Sequence, residues 1–124
     1  METLWRPPGP ATGLVDSPRL EKRLGREVAL VLKYEQETDG TDILVSLVFD
    51  GTEAFRCTYY NAIGQSASSA YNRLSDVGAS PWLSEVKSNL AFHQADLEGL
   101  THMMIMFDDG PCYEFICRTF RVEE

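Results

Sequence analysis

The pattern of apolar and polar positions is clearest near the end of the chain, where two apolar segments flank a short polar turn. Residues 103–107 and 111–117 have the composition of buried strands, and the Asp-Asp-Gly sequence between them is typical of a three-residue hairpin loop. The register that this loop imposes pairs Ile105 with Tyr113 and Met103 with Phe115. One face of the predicted hairpin is entirely apolar, so a second layer of structure must cover it.

Three further strands are predicted earlier in the chain. Residues 28–34 form a nearly continuous apolar run, and residues 42–49 alternate between apolar and polar positions. Residues 54–60 follow a turn at Asp50-Gly51 and are rich in aromatic residues. Because the links between successive strands are short, we expect neighbouring strands to be antiparallel.

Helix-start signals predict three helices, over residues 18–24, 66–76 and 81–93. The strongest signal is Ser80 followed by Pro81, since serine is a favoured N-cap and proline is favoured in the first turn. Apolar side chains then recur at helical spacing along this third helix. We expect that helix to cover the apolar face of the C-terminal hairpin.

The predicted order of elements is one helix, three strands, two helices and two strands. This order predicts an α+β fold with a five-stranded, mainly antiparallel sheet and helices packed on one face. Residues 1–16 are rich in proline and glycine and are interpreted as an extended N-terminal arm. Residues 17–124 are then a single α+β domain, which is large enough to bury a core without metal or disulfide support.

The net charge of −8 is unevenly distributed. Residues 1–26 carry five basic and three acidic side chains, which leaves six basic and sixteen acidic side chains in residues 27–124. Such a surface repels nucleic acid and anionic membranes and attracts basic proteins. We therefore expect a basic protein partner, no nucleic acid and no membrane association. The alternative is that the charge serves only to keep the protein soluble.

Acidic residues at the predicted hairpin turns are the first candidates for chemistry. Asp50 lies at one turn and Asp108 and Asp109 at the other, so a cation site or an acid–base pair is one interpretation. Aspartate before glycine is also what tight turns favour, and the spacing does not match a calcium loop. His93 and His102 lack the spacing of metal ligands. The sequence therefore predicts no catalytic residue, no metal and no cofactor.

The three cysteines are interpreted as reduced thiols. Cys112 and Cys117 lie on one predicted strand and point to opposite faces, so they cannot easily form a disulfide. Cys57 and Cys117 alternate with aromatic residues on the expected core face, whereas Cys112 beside the turn is the candidate for an exposed thiol. Unpaired thiols favour a cytoplasmic location.

A partner-binding surface is predicted from acidic loop residues and one outward-facing tyrosine. Carboxylates on loops reach a partner at little cost to the fold, and a tyrosine is an effective anchor at an interface. The predicted partner-binding residues are Asp50, Glu53, Tyr60, Asp108 and Asp109. We expect a monomer, or a weak homodimer formed through a free sheet edge.

In size, acidity, α+β pattern and lack of a catalytic motif, the chain resembles the small cytosolic immunity proteins that neutralise bacterial toxins. The resemblance is one of general character and transfers no residue. It implies an acidic protein-binding module that covers the basic active site of a toxin. The alternative function is a small enzyme or ligand-binding protein with a cleft between sheet and helices.

Overall fold

A computed structural model describes residues 1–35, 40–59, 64–108 and 111–124. In these residues the chain forms two antiparallel sheets. The five-stranded sheet has the spatial order β1 (Glu2–Trp5), β6 (Leu74–Asp76), β7 (Thr101–Met106), β8 (Cys112–Cys117) and β5 (Ala54–Thr58). The four-stranded sheet has the order β2 (Arg19–Lys22), β3 (Val28–Glu35), β4 (Asp42–Asp50) and β9 (Thr119–Glu123). The helix α1 (Pro81–Phe92) and a 3-10 helix (Gln65–Ala70) contact the outer face of the five-stranded sheet.

The main core lies between the two sheets. Phe49 of β4 stacks on Phe115 of β8 with ring centroids 3.7 Å apart and planes inclined by 10°. Both side chains are fully buried, because alternate residues of each strand point to the opposite sheet. The other buried apolar side chains of this layer include Leu30, Leu32, Tyr34, Leu47, Leu74, Ile105 and Tyr113.

The C-terminal hairpin has the predicted register. Ile105 pairs with Tyr113, and Met103 pairs with Phe115. The loop residues Asp109 and Gly110, on which the sequence argument for the turn rests, lie outside the described residues. The predicted strand pairing is therefore confirmed, whereas the conformation expected of the turn concerns residues outside the described ranges.

The predicted fold class is wrong. Among the described residues, strands make up 46% and fall into two sheets, and there is one α-helix. The chain does not form a five-stranded sheet with helices on one face. The apolar face of the C-terminal hairpin is covered by the four-stranded sheet. Helix α1 packs on the opposite face, where Leu83 meets Ile116 and Leu100. The prediction failed because both faces of the hairpin are buried, whereas only one face was expected to be covered by a second layer.

Two of the three predicted helices do not form as expected. Residues 19–22 are strand β2, in which Leu20 pairs with Leu30 of β3, and Leu24 is 96% exposed. A six-residue segment between Pro18 and Gly25 is too short to gain much from helix formation, so pairing with β3 prevails. Residues 66–76 divide between the 3-10 helix and strand β6.

The third predicted helix is confirmed almost to its ends. Helix α1 begins after Ser80, whose Oγ accepts a hydrogen bond from the Leu83 N–H at 3.1 Å, and Pro81 occupies the first turn. It ends at Phe92, and His93 is the C-cap residue. The serine–proline signal therefore fixes where this helix begins.

The N-terminal segment 1–16, assigned to an extended arm from its composition, includes strand β1 and a 3-10 turn (Ala11–Gly13). Strand β1 forms one edge of the five-stranded sheet by pairing with β6. Ala11 is buried in the main core. Along the described ranges, no helix has both the length and the apolar content needed to cross a bilayer.

The chain crosses between the two sheets twice at the same corner. The first crossing runs from β4 to β5 through residues 51–53, and the second runs from β8 to β9 through Arg118. The Arg118 backbone N–H donates to the Asp50 carbonyl at 3.0 Å. Its guanidinium donates to the carbonyl oxygens of Gly51 at 2.9 Å and Asp96 at 2.7 Å. These hydrogen bonds tie the two crossings to each other.

Candidate functional site

A cleft of about 500 Å³ opens on the outer face of the five-stranded sheet. Strands β7, β8 and β5 form its floor. The start of α1 and Gly64, the residue before the 3-10 helix, form its sides. Polar and apolar surface contribute about equally to its lining. The apolar lining residues are Met1, Ala67, Val77, Ala79, Pro81, Met104 and Cys112.

A hydrogen-bonded network of four polar side chains lies at the floor of this cleft. The Ser80 Oγ is 2.7 Å from His102 Nδ1, and His102 Nε2 is 2.8 Å from Glu114 Oε1. Arg56 binds the same carboxylate through two nitrogens, with Nε 2.7 Å from Oε2 and Nη2 3.1 Å from Oε1. All four residues line the cleft.

Strand register brings three of these side chains together. Arg56 of β5 is directly opposite Glu114 of β8, so the two side chains share the outer face. His102 of β7 is opposite Ile116, two residues from Glu114 on the same face, which makes His102 a diagonal neighbour of the carboxylate. The fourth member, Ser80, reaches the histidine because it caps the helix that starts above the sheet.

The protonation of the network can be assigned from its geometry. Burial raises the pKa of Glu114, but hydrogen bonds from His102 and Arg56 outweigh that effect and lower it to about 2. The carboxylate is therefore ionised and can only accept, so His102 Nε2 must carry a proton. In the neutral imidazole, Nδ1 is then the acceptor, and the Ser80 hydroxyl donates to it.

The Trp82 ring contacts two members of the network, Arg56 and His102. The Arg56 guanidinium carbon lies 4.1 Å from the centroid of the Trp82 ring, a cation–π contact. The same ring meets His102 edge-on, with centroids 5.2 Å apart. Arg56 and His102 are thus both restrained by one aromatic side chain at the start of α1.

The cysteine predictions are reversed at two positions. Cys57, predicted to face the core, is exposed, whereas Cys112, predicted to be exposed, is buried at the cleft. Burial raises the pKa of the Cys112 thiol to about 12, so this thiol stays protonated and is a poor nucleophile. The exposed Cys57 follows from its position on β5, an edge strand of the five-stranded sheet.

The predicted partner-binding residues do not form one surface among the described positions. Asp50 accepts a hydrogen bond from Arg121 at 2.6 Å, and the Glu53 side chain is only 5% exposed and pairs with Arg26. Both lie near the Ile116 end of β8, whereas the exposed Asp108 lies beyond the opposite end of that strand. Tyr60 and Asp109 lie outside the described residues.

Sequence reasoning missed the network, although part of its signal was present. The predicted hairpin register already placed His102 on the same face as Glu114, and strand alternation placed Arg56 outward as well. Strand alternation alone gives no indication that this face is covered, and Glu114 is in fact 4% exposed. The position of Ser80 over His102 depends on where α1 packs, which no local pattern specifies.

Comparison of the chain with family models, with curated proteins and with solved structures finds no match. Within the described ranges, no cluster of three or more histidine, cysteine or acidic side chains is suited to hold a metal ion. The candidate site is therefore characterised by its own geometry alone.

Proposed function

We propose that the protein binds a small, uncharged organic molecule in the outer cleft. A cleft of about 500 Å³ lies within the range of about 300–1,000 Å³ that is typical of small-molecule sites. The observation that carries the proposal is a connected polar network, in which His102 and Glu114 are buried, at the floor of a cleft whose other lining residues are mostly apolar. Such sites use a few fixed polar groups to orient a ligand and apolar walls to bind it.

The charges at the floor favour an uncharged ligand. The Arg56 guanidinium and the Glu114 carboxylate neutralise each other in a bidentate pair, and the remaining two members of the network, Ser80 and His102, contact each other. A charged ligand would bring an unpaired charge against the buried His102 and Glu114 side chains, which is costly. Arg56 offers only donors, so we expect the ligand to present an acceptor such as an ester or amide carbonyl.

The proposal predicts that blocking the cleft abolishes binding. Ala79 is exposed and lines the cleft, so Ala79→Trp places a large side chain in it without disturbing the main core. N-alkyl butyramides serve as the probe, because they are neutral and carry one carbonyl. In ¹⁵N–¹H NMR titrations, we expect them to shift the amides of Met104 and Cys112, and Ala79→Trp to weaken binding by about tenfold or more.

Ala91→Trp is the matched control, because it adds the same side chain at an exposed position of α1 that does not line the cleft. Binding should be unchanged in this variant. Equal loss in both tryptophan variants would contradict the proposal, as would shifts confined to the separate depression around Arg26 and Phe55.

A second candidate function is the one that the sequence suggested, an acidic protein-binding module that acts as a toxin-neutralising immunity protein. The observation that favours it is a groove of about 510 Å³ beside the exposed Asp108, which combines acidic and apolar lining residues. Asp16, Val15 and Pro111 lie in the same groove. A basic protein is the partner that this combination fits. A cytoplasmic location belongs to this proposal and is supported by the free thiols of Cys57, Cys112 and Cys117.

This second proposal predicts that charge reversal at the turn slows association. A partner recovered from the native host by affinity purification should bind the double variant Asp108→Lys, Asp109→Lys with a reduced association rate, and the difference should shrink as salt is raised. Asp96→Lys with Glu98→Lys makes the same charge change elsewhere and is the control. An unchanged association rate at low salt would exclude the turn from the interface.

A further inference from the structure

We propose that Ser80 is a nucleophile for acyl transfer, with His102 as its general base and a neutral ester of a short-chain acid as the substrate. This inference rests on the proposed function, because it takes the outer cleft as the site where the ester binds. It goes further by assigning a reaction to the polar network at the floor.

The contacts that carry the inference are those from serine to histidine to carboxylate. Ser80 Oγ lies 2.7 Å from one ring nitrogen of His102, and the other ring nitrogen lies 2.8 Å from Glu114. This is the order of contacts by which a serine is activated in acyl-transfer enzymes on unrelated folds. His102 is 3% exposed, whereas Ser80 is only partly buried and faces the cleft. The proton acceptor is therefore shielded from solvent while the hydroxyl is open to a ligand.

The position of Ser80 at the start of α1 supports the same role. The Leu83 N–H donates to Ser80 Oγ at 3.1 Å, and the positive end of the dipole of this twelve-residue helix lies beside it. Both stabilise negative charge that develops on Oγ as its proton leaves. Glu114 acts as a positioning residue, because it fixes the ring of His102 so that Nδ1 faces Ser80.

The reaction requires only water as a second reactant. Ser80 Oγ forms a bond to the ester carbonyl carbon and gives its proton to His102 Nδ1. The C–O bond to the leaving alcohol then breaks, and His102 returns the proton to that alcohol, which leaves an acyl group on Ser80. Water next gives a proton to His102 Nδ1 and attacks the acyl carbon, and the serine recovers its proton as the acid departs.

Arg56 is the group suited to the negative charge that forms on the carbonyl oxygen. Its Nε and Nη2 bind Glu114, which leaves Nη1 outside that pair. The Arg56 side chain is 46% exposed and lines the cleft. A guanidinium held in place by Glu114 and Trp82 is a preorganised donor of the kind that stabilises an oxyanion.

The same contacts would also exist if Ser80 served only as a helix cap, so the test must separate the two roles. Ser80→Asn does so, because asparagine is an equally good N-cap and has no nucleophilic oxygen. Ser84→Ala removes an exposed serine one turn further along α1 and is the matched control. Circular dichroism and thermal melting establish that both variants keep the native fold.

The experiment treats the full chain with a fluorophosphonate that bears a short alkyl chain, and locates the adduct by mass spectrometry of peptides. We expect one adduct, on Ser80, in the native protein and in Ser84→Ala, and none in Ser80→Asn or in the urea-unfolded chain. The native protein and Ser84→Ala should also release p-nitrophenol from p-nitrophenyl acetate with an initial burst that Ser80→Asn lacks.

An adduct on another residue, or none, would overturn the inference, as would a burst that persists in Ser80→Asn. If Ser80→Asn fails to fold, the comparison of native with urea-unfolded chain decides, since a structural cap gives no labelling at Ser80 in either state. Butyramide binding in the cleft without an adduct would overturn acyl transfer and leave the ligand-binding proposal intact. Absence of both butyramide binding and the Ser80 adduct would overturn the ligand-binding proposal and the acyl-transfer proposal together.

Discussion

Replacing Phe115 with alanine should destabilise the protein by about 3–5 kcal/mol. The ring is fully buried between the two sheets and stacks on Phe49 at 3.7 Å. Removing it leaves a cavity in a layer where strands of both sheets are held by their hydrogen-bonded neighbours, so the site cannot collapse easily. Urea unfolding followed by circular dichroism measures the change as a shift of the midpoint at constant slope.

Phe92→Ala is the matched control for this substitution. Phe92 lies at the end of α1 and is 83% exposed, so the same change there should alter the free energy of unfolding by no more than about 0.5 kcal/mol. If Phe115→Ala unfolds at the same urea concentration as the parent chain, the face-to-face packing of the two sheets is wrong.

The second large effect concerns the acid stability that Glu114 provides. Its pKa is lowered from the ordinary value of 4.5 to about 2, where hydrogen bonds from His102 and Arg56 outweigh the effect of burial. Because the folded-state pKa is the lower one, the resulting stability is present above pH 4.5 and is lost as the pH falls towards 2. At about 1.4 kcal/mol per pKa unit, this contribution is on the order of 3 kcal/mol.

Glu114→Gln should remove this dependence on pH. The free energy of unfolding, measured with denaturant at pH 7, 5 and 3, should differ between variant and parent by nearly the same amount at pH 7 and pH 5. The difference should fall to less than half of that amount at pH 3 and vanish only below pH 2. Glu85→Gln removes a carboxylate from an exposed position of α1 and should leave the parent's pH profile unchanged. A constant difference between Glu114→Gln and the parent from pH 7 to pH 3 would contradict the assignment of an ionised, buried carboxylate.

Local signals in the sequence predict individual helices and strands better than they predict how these pack into layers. The register of the C-terminal hairpin was predicted from the length of its loop, and the start of α1 at Ser80 from capping preference. Both signals depend on near neighbours in the sequence. Strand β9 has no such signal, since Phe120 and Val122 alternate over only five residues. It is defined by its pairing with β4, a contact between distant parts of the chain.

The candidate site, too, could be predicted from local signals only in part. Arg56, His102 and Glu114 share one face by alternation, so the register alone was enough to place them near one another. The burial of His102 and Glu114 depends on α1 and the 3-10 helix, whereas helices were expected on the other face of the sheet. Two members of the network are therefore buried, while Arg56 stays partly exposed at the cleft.

The strand order has a consequence for how the chain folds. Because the two crossings at the Arg118 corner exchange strands between the sheets, neither sheet is made from one continuous stretch of sequence. Strand β1 pairs with β6, and β4 pairs with β9, so each pairing needs a segment that lies far along the sequence. Such distant pairings require large loops to close before the contacts that stabilise them exist, which makes folding slow compared with that of a helical bundle of similar size. The four-stranded sheet therefore remains incomplete until residues 119–123 have been synthesised and can pair with β4.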